Sequence, residues 1–558
     1  MMCFILFLFS LVFCLDGTVL MIENRSFSLH DFFSRYPKKQ WDRTDSLQKE
    51  KMLSDFIDRE LCVIEAKNLG FQNDPSIAVK IFDRSLQILV NESYEYFVAR
   101  PLLPEESLNQ TRLNSKKEVF VSHILVGHSG SYLGTPPQRT IDDALTLIQK
   151  IKGDYDNGAD FAVLAAKYSD DPGVALNSGE VGWVPWGATV PEFQNMAFSL
   201  DMGALSSPVL TDFGYHLILA SDTRASEYQY MHGNEYENLV INITKNSIRE
   251  KLRPAAIEYD DNMIDLYGVV FNIEAVRELL DAYVEQQNIS VGGASNSTDS
   301  FFGGISHPIV VCVYNKKGYG PGWFARRLAR SPASRLPNFK TVDDVLSIFK
   351  TYILQDIAIN KGLDVGVDSL FSYRKKVDDM VSGILYDAYL KHLIDLVPSP
   401  DSSSVREYYS ANKSEDYMKE EKITVREIKV VDRMLADSLL VQIHSGADFS
   451  SLARKHSLVS PESGGLYGPF SKKQANNYFN ATSLLKIGDV SPVISSSNGR
   501  FSIIQLIDRF PSSPLGLELV YARIQSLLIK EAQDLSKKQG VGGLLNKYVV
   551  IRKTSLLY

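Results

Sequence analysis

VSHILV at residues 121–126 and FGYHLILA at 213–220 decide how this chain folds. Each carries one histidine, His123 and His216, in an apolar run whose alternation predicts a strand buried on at least one face. Between them lie GADFAVLAAKYSDD (158–171), SGEVGW (178–183) and VPEFQNMAFSLDMGALSSPV (190–209). In order these read as helical, a glycine turn, and a helix leading into a short strand. On periodicity alone the two histidines read as core residues with satisfied ring nitrogens. Asp171 likewise reads as a turn residue before Pro172 and Gly173.

Taken together, the motifs from Val119 to Arg224 resemble the parvulin family of peptidyl-prolyl cis/trans isomerases over about a hundred residues. The resemblance implies that His123 and His216 form a facing pair in the floor of a site. It implies that Asp171, in SDDPG, stands beside the substrate amide where the family has cysteine or aspartate, and that Thr211, in TDFGYH, places a hydroxyl beside the second histidine. Phe193 matches the aromatic wall of the proline pocket, with Val181 and Thr189 nearby. Thr189 departs from the family, which usually has methionine there, and a smaller polar side chain implies a looser pocket.

The chemistry asks little more than this. Rotation about a peptide bond meets a barrier of about 18 to 20 kcal/mol because the C–N bond has partial double-bond character. No bond has to break, so the expectation is an enzyme with no cofactor: neither metal, nucleotide nor covalent intermediate is needed. An apolar pocket that grips the proline ring, and polar groups that favour the twisted amide, suffice. The loop after the first strand, GHSGSYLGTPPQRT (127–140), holds only Arg139 and His128 as basic residues. A phosphate-selective parvulin would need a basic cluster there, so selectivity for phosphorylated substrates is not expected.

The N-terminal MMCFILFLFSLVF is apolar apart from Ser10 and shorter than the roughly 20 residues of a membrane helix. It reads as a secretory signal sequence, with a misassigned core strand as the alternative. Cys14 distantly resembles a lipidation site, although Phe13 is bulky for the position before it, so membrane anchoring is expected only if Cys14 is lipidated. The 558 residues are 44% hydrophobic, enough for several cores. A net charge of −8 argues against nucleic acid as a partner. Outside the leader only Cys62 and Cys312 remain, in dissimilar surroundings, which implies neither a disulfide framework nor a metal site.

The chain repeats itself. GADFAVLAAKYS (158–169) returns as GADFSSLARKHS (446–457), GALSSPV (203–209) as GDVSPV (488–493), and VSHILV as VREIKV (425–430). GYHLILASDTR returns as GRFSIIQLIDR, and DNMIDLYGVVFN after the first domain is echoed by LLNKYVVIRK near the C-terminus. The flanking segments have apolar positions at helical spacing, including Met52, Phe56, Ile57, Leu61 and Ile64, and resemble the chaperone segment of the SurA/PrsA type of exported folding chaperones.

The expected fold class is therefore α+β and multidomain. Two parvulin-like domains, each an antiparallel or mixed four-stranded sheet with surrounding helices, are inserted in mainly helical chaperone segments as a tandem repeat. The expected boundaries are 1–15 signal sequence, 16–115 helical segment, 116–226 active isomerase domain, 227–284 helical segment, and 285–306 flexible linker. The second copy follows as 307–420 helical segment, 421–510 degenerate inactive domain, and 511–558 C-terminal helical segment. In that copy the alignment puts Glu427 at the place of His123, Phe501 at that of His216, Val459 near that of Asp171 and Tyr478 near that of Phe193. Glu427 reads as a strand-surface residue.

The function these readings imply is an exported isomerase and chaperone, most simply in a bacterial periplasm. It would bind unfolded or proline-containing clients, outer-membrane proteins among them, without nucleic acid or nucleotide. The alternative is a non-catalytic holdase built on two parvulin folds.

Overall fold

A computed structural model describes residues 17–289, 310–328, 330, 339–495 and 499–558. The leader and most of the expected linker, including residues 290–306, lie outside the described residues. Two compact units divide the chain, residues 1–390 with 541–558, and residues 391–540. Among the described residues no helix is long and apolar enough to cross a membrane. The sheets are antiparallel throughout, and the multidomain α+β class is what the structure has.

Within the expected helical segment 16–115, the described chain opens with a hairpin, β1 (Thr18–Ile22) and β2 (Arg25–Ser28). Helix Ser46–Asn68 follows, with Asp45 capping its first turn by accepting from Gln48 N, and it buries Leu53, Phe56, Ile57 and Leu61. Helix Pro75–Tyr94 leads toward the inserted domain. That domain contains β3 (Lys117–Val126), β4 (Glu180–Pro185), β5 (Val209–Thr211) and β6 (Gly214–Ala225) in the order β4-β3-β6-β5.

Alternation along β3 and β6 builds two cores. Val119, Val121, Ile218 and Ala220 pack against Phe193 and Ala197 on helix Pro191–Ser199. On the opposite face Ile124, Val126 and Leu217 pack against Ala144, Ile148 and Leu164 of helices Ile141–Asp156 and Phe161–Tyr168. The GADF motif is the start of the latter helix: Asp160 accepts from Val163 N as N-cap, and Phe161 is buried.

Beyond the domain the chain forms helices Arg249–Leu266 and Ile273–Ile289, separated by β7 (Val270–Phe271). The expected 227–284 segment is thus not wholly helical. The second copy opens with the hairpin β8 (Cys312–Tyr314) and β9 (Lys317–Tyr319), followed by helices Val342–Asp364 and Phe371–Asp395.

In the second unit, β10 (Met418–Lys419) precedes β11 (Lys422–Val430), β12 (Leu466–Ser471), β13 (Ile494–Ser495) and β14 (Phe501–Phe510). Their sheet order, β12-β11-β14-β13, repeats that of the first domain. After β15 (Ser513–Pro514), helix Leu517–Lys547 leads to β16 (Val550–Arg552). The expected helical segment 511–558 therefore includes a strand near its end, followed by a single turn at Thr554–Leu556.

The two end strands are exchanged. β16, the last strand of the second repeat, lies beside β1 of the first, with Ile22 opposite Val550. β7, the last strand of the first repeat, lies beside β8 of the second, with Phe271 opposite Cys312. Each hairpin is completed by the other repeat. The helices follow suit: Pro75–Tyr94 of the first repeat packs on Val342–Asp364 of the second, so closely that a Cβ on Gly362 would lie 2.2 Å from Ser93 Oγ. Cys62 and Cys312 are both buried and free.

Candidate active site

β3 and β6 pair with His123 opposite Ile218 and Leu125 opposite His216. The histidines are therefore diagonal neighbours on one face, which puts their rings within contact. They stack at 5.4 Å between centroids, with Nδ1 to Nδ1 at 3.2 Å. His123 Nε2 lies 2.7 Å from Asp171 Oδ2, and Thr211 Oγ1 lies 2.9 Å from His216 Nε2. Four residues from three separate parts of the chain thus form one row: Asp171, His123, His216, Thr211.

One proton order satisfies the whole row. The Asp171 carboxylate can only accept, so His123 Nε2–H donates to it. His123 Nδ1 then accepts from His216 Nδ1–H, which leaves His216 Nε2 to accept from the Thr211 hydroxyl. The Thr211 oxygen itself accepts from Phe213 N at 3.1 Å. Burial, and then the adjacent His123, push His216 down to about 3. Asp171 is held below the ordinary carboxylate range, first by the His123 hydrogen bond, with Gly173 N–H donating to its other oxygen at 2.8 Å. Both directions fit an ionised acid and a neutral His216.

The ring of Phe193 stands edge-on to both histidines, at 5.7 and 5.3 Å, and is 5% exposed. Phe193, Val181, Thr189, Asp171 and both histidines line one cleft of about 1200 Å³. The structure brings all of the sequence-predicted site residues to this cleft except Thr211, which is buried behind His216. Thr189 Oγ1 is buried without a hydrogen-bond partner among the described residues.

Phe213 and Trp186 also line the cleft, and sequence reasoning did not place them at the site. Trp186 Nε1 donates to Thr111 Oγ1, which also meets Thr244 Oγ1 at 3.0 Å, and this ties the cleft wall to the flanking helical segment. Trp183 instead packs on Phe120 beneath Arg224.

The glycine turn has a steric reason. Gly179 has φ of +88°, its carbonyl accepts from His123 N, and a Cβ there would lie 2.7 Å from the His123 carbonyl. In the second domain Gly465 does the same for Glu427.

That equivalence fixes the second site. Glu427 takes the place of His123, and by strand register Lys429 and Ser502 take those of Leu125 and His216. Phe501, expected at the His216 position, instead matches Tyr215: it lies opposite Val430 as Tyr215 lies opposite Val126. Glu427 is not on the strand surface either: it is 1% exposed. It accepts from Tyr478 Oη at 2.7 Å and Ser502 Oγ at 2.6 Å, and pairs with Lys429 Nζ at 3.0 Å. Val459 N donates to Ser457 Oγ as Asp171 N does to Ser169 Oγ, so an apolar side chain stands at the acid's position.

The class of protein follows from this fold and its repetition. The chain matches the family of PPIC-type peptidyl-prolyl isomerase domains at residues 107–224 and again at 411–509. By domain class it is of the parvulin type, and it resembles the SurA and PrsA chaperones. It is 43% identical to the chaperone SurA of Chromohalobacter salexigens over 107 residues, 19% of this chain and 23% of that protein. To the foldase protein PrsA of Oceanobacillus iheyensis it is 29% identical over 187 residues, 33% of this chain and 56% of that protein. The matched regions thus span about a quarter and about half of those relatives. A solved structure of SurA-like chaperones from Campylobacter jejuni aligns with 44% of this chain and all of its own, at 21% identity and a TM-score of 0.31.

Proposed function

We propose that this chain is an exported folding chaperone whose first parvulin domain accelerates X-Pro isomerisation and whose second does not. The observation that carries the reading is the ordered row Asp171–His123–His216–Thr211 beside Phe193, present in one domain and replaced in the other.

The geometry supplies a mechanism. Phe193, with Val181 and Phe213, offers apolar surface to a proline ring. In a planar amide the oxygen carries excess negative charge, and as the C–N bond twists that charge returns to nitrogen. An ionised carboxylate close to the carbonyl oxygen raises the planar state more than the twisted one, which lowers the barrier. Asp171 is the most exposed member of the row, with its side chain 24% exposed, and lines the cleft. His123 and Gly173 N–H hold it ionised and aimed, while His216 and Thr211 fix the tautomer of His123.

The second domain keeps the scaffold and fills the site. Glu427, Tyr478, Ser502 and Lys429 satisfy one another, and the missing acid removes the charge the reaction needs. The domain would serve client binding, together with the helical segments. Export and unfolded clients are the reading that the SurA and PrsA resemblance supports; lipidation at Cys14 remains the alternative route to the membrane surface.

A non-catalytic holdase is the second reading, because Thr189 lines the cleft where the parvulin family usually has methionine. The test uses the full mature chain in two assays, peptide isomerisation by exchange NMR and suppression of client aggregation. Wild type active in both, with Asp171→Ala and His123→Ala losing isomerisation while keeping aggregation suppression, supports the enzyme. Isomerisation absent in wild type with aggregation suppression intact would leave the holdase.

A further inference from the structure

The cleft that holds Asp171 and Phe193 does not end at the isomerase domain. Its far wall belongs to the helical segment, with Lys39 and Arg43 at the helix Lys38–Asp42 and Asn246 and Arg249 at the start of the helix Arg249–Leu266. A client presenting a proline to the site therefore has to pass these side chains.

The charges there are arranged unevenly. Neighbouring cations are neutralised: Lys38 by Asp42, Arg112 by Glu237, Arg224 by Glu118 and Asp42, and Lys245 by Glu95. Lys39, Arg43 and Arg249 have no ion pair among the described residues, and all three are exposed. The acids on the cleft are Glu106 on the facing helix Glu105–Asn114, Glu180 on β4, and Asp171, which is occupied by His123. Three free cations thus meet a single acid, Glu106, on the helical wall, in a chain whose net charge is −8. The domain's own loop contributes nothing similar, since Arg139 is held by Asp170 at 2.6 Å.

We propose that Lys39, Arg43 and Arg249 form a cationic subsite by which the helical segment selects clients carrying carboxylate side chains near the proline. The subsite rests on the isomerase reading for its role in turnover, but binds acidic polypeptide whether or not turnover occurs. An extended peptide needs only two of the three cations to place one glutamate. Exposed ion pairs contribute modestly, so the expected preference is about fivefold rather than absolute.

The test compares two synthetic proline peptides, identical except that glutamates flanking the proline in one are glutamines in the other, with a third, lysine-flanked peptide for the charge-reversed variant. Both kcat/KM, by exchange NMR, and affinity, by fluorescence anisotropy, are measured on the full chain. The glutamate peptide is expected to lead by about fivefold at low salt, and the lead is expected to vanish near 1 M salt, where screening acts within a few ångström. In Arg43→Gln/Arg249→Gln the ratio should fall toward one. In Arg43→Glu/Arg249→Glu it should invert in favour of a lysine-flanked peptide, an outcome that misfolding cannot mimic. Equal affinities for the two peptides in wild type, or a lead that survives both charge changes and salt, would overturn the subsite. If neither peptide is turned over but the affinity ratio behaves as stated, the subsite stands and the isomerase reading fails.

Discussion

Asp171 and His216 play different parts, and single substitutions separate them. On the proposed mechanism, removing the acid takes away the charge beside the substrate amide, so Asp171→Ala is expected to lower kcat/KM by about a hundredfold, in the range of a lost electrostatic stabiliser; exchange NMR on a proline peptide reads this directly. His216 acts through His123, and its effect on stability carries a sign. Its folded-state pKa, about 3, lies below the ordinary 6.5. The unfolded chain therefore binds the extra proton first as pH falls, and the folded domain loses stability from about pH 6.5 downward. Asp171, also lowered, adds to the loss at still lower pH. The urea midpoint of wild type should fall more between pH 7 and 4.5 than that of His216→Phe, and equal slopes would contradict the buried neutral histidine. The family resemblance puts both residues at a site from the sequence alone, whereas periodicity reads the histidines as core and Asp171 as a turn residue. Glu427 was misread for the opposite reason: a charged residue on an alternating strand looks solvated until Tyr478, Ser502 and Lys429, distant in sequence, close around it.

At the scale of elements, the repeat motifs were the most legible part of the chain. GADF recurs because it is an N-cap followed by a buried aromatic, a local device that the fold needs in both copies. The glycine turns recur because Gly179 and Gly465 pack against a strand carbonyl. The exchanged end strands could not be read, since β7 and β16 have two and three residues and no pattern specifies their partner. The His216 counterpart was off by one because register belongs to strand pairing, not to local sequence. Two consequences follow for packing. Glu427→Ala leaves buried Ser502 and the partly buried Tyr478 and Lys429 without their acceptor and should destabilise the second domain by about 3 kcal/mol, read as a shifted urea midpoint of its transition. Gly362→Val forces a side chain against buried Ser93 and Leu89 and should cost about 1–3 kcal/mol in the first unit.

At the scale of the whole molecule, strand exchange makes the two repeats depend on each other. β16 completes the first hairpin and β7 the second, and Trp41 Nε1 donates to the Leu557 carbonyl while Lys547 pairs with Glu65. A protease site placed within residues 290–306 should therefore yield two fragments that elute together in gel filtration, and separation without denaturant would contradict the exchange. On this reading one domain of two is an enzyme, and the decisive assay is acceleration of a client whose refolding is limited by proline isomerisation. Uncatalysed, that step takes tens of seconds. The full chain and Glu427→Gln should accelerate it alike, and Asp171→Ala should return it to the uncatalysed rate. Acceleration that survives Asp171→Ala, or is lost with Glu427→Gln in a folded protein, would contradict the assignment.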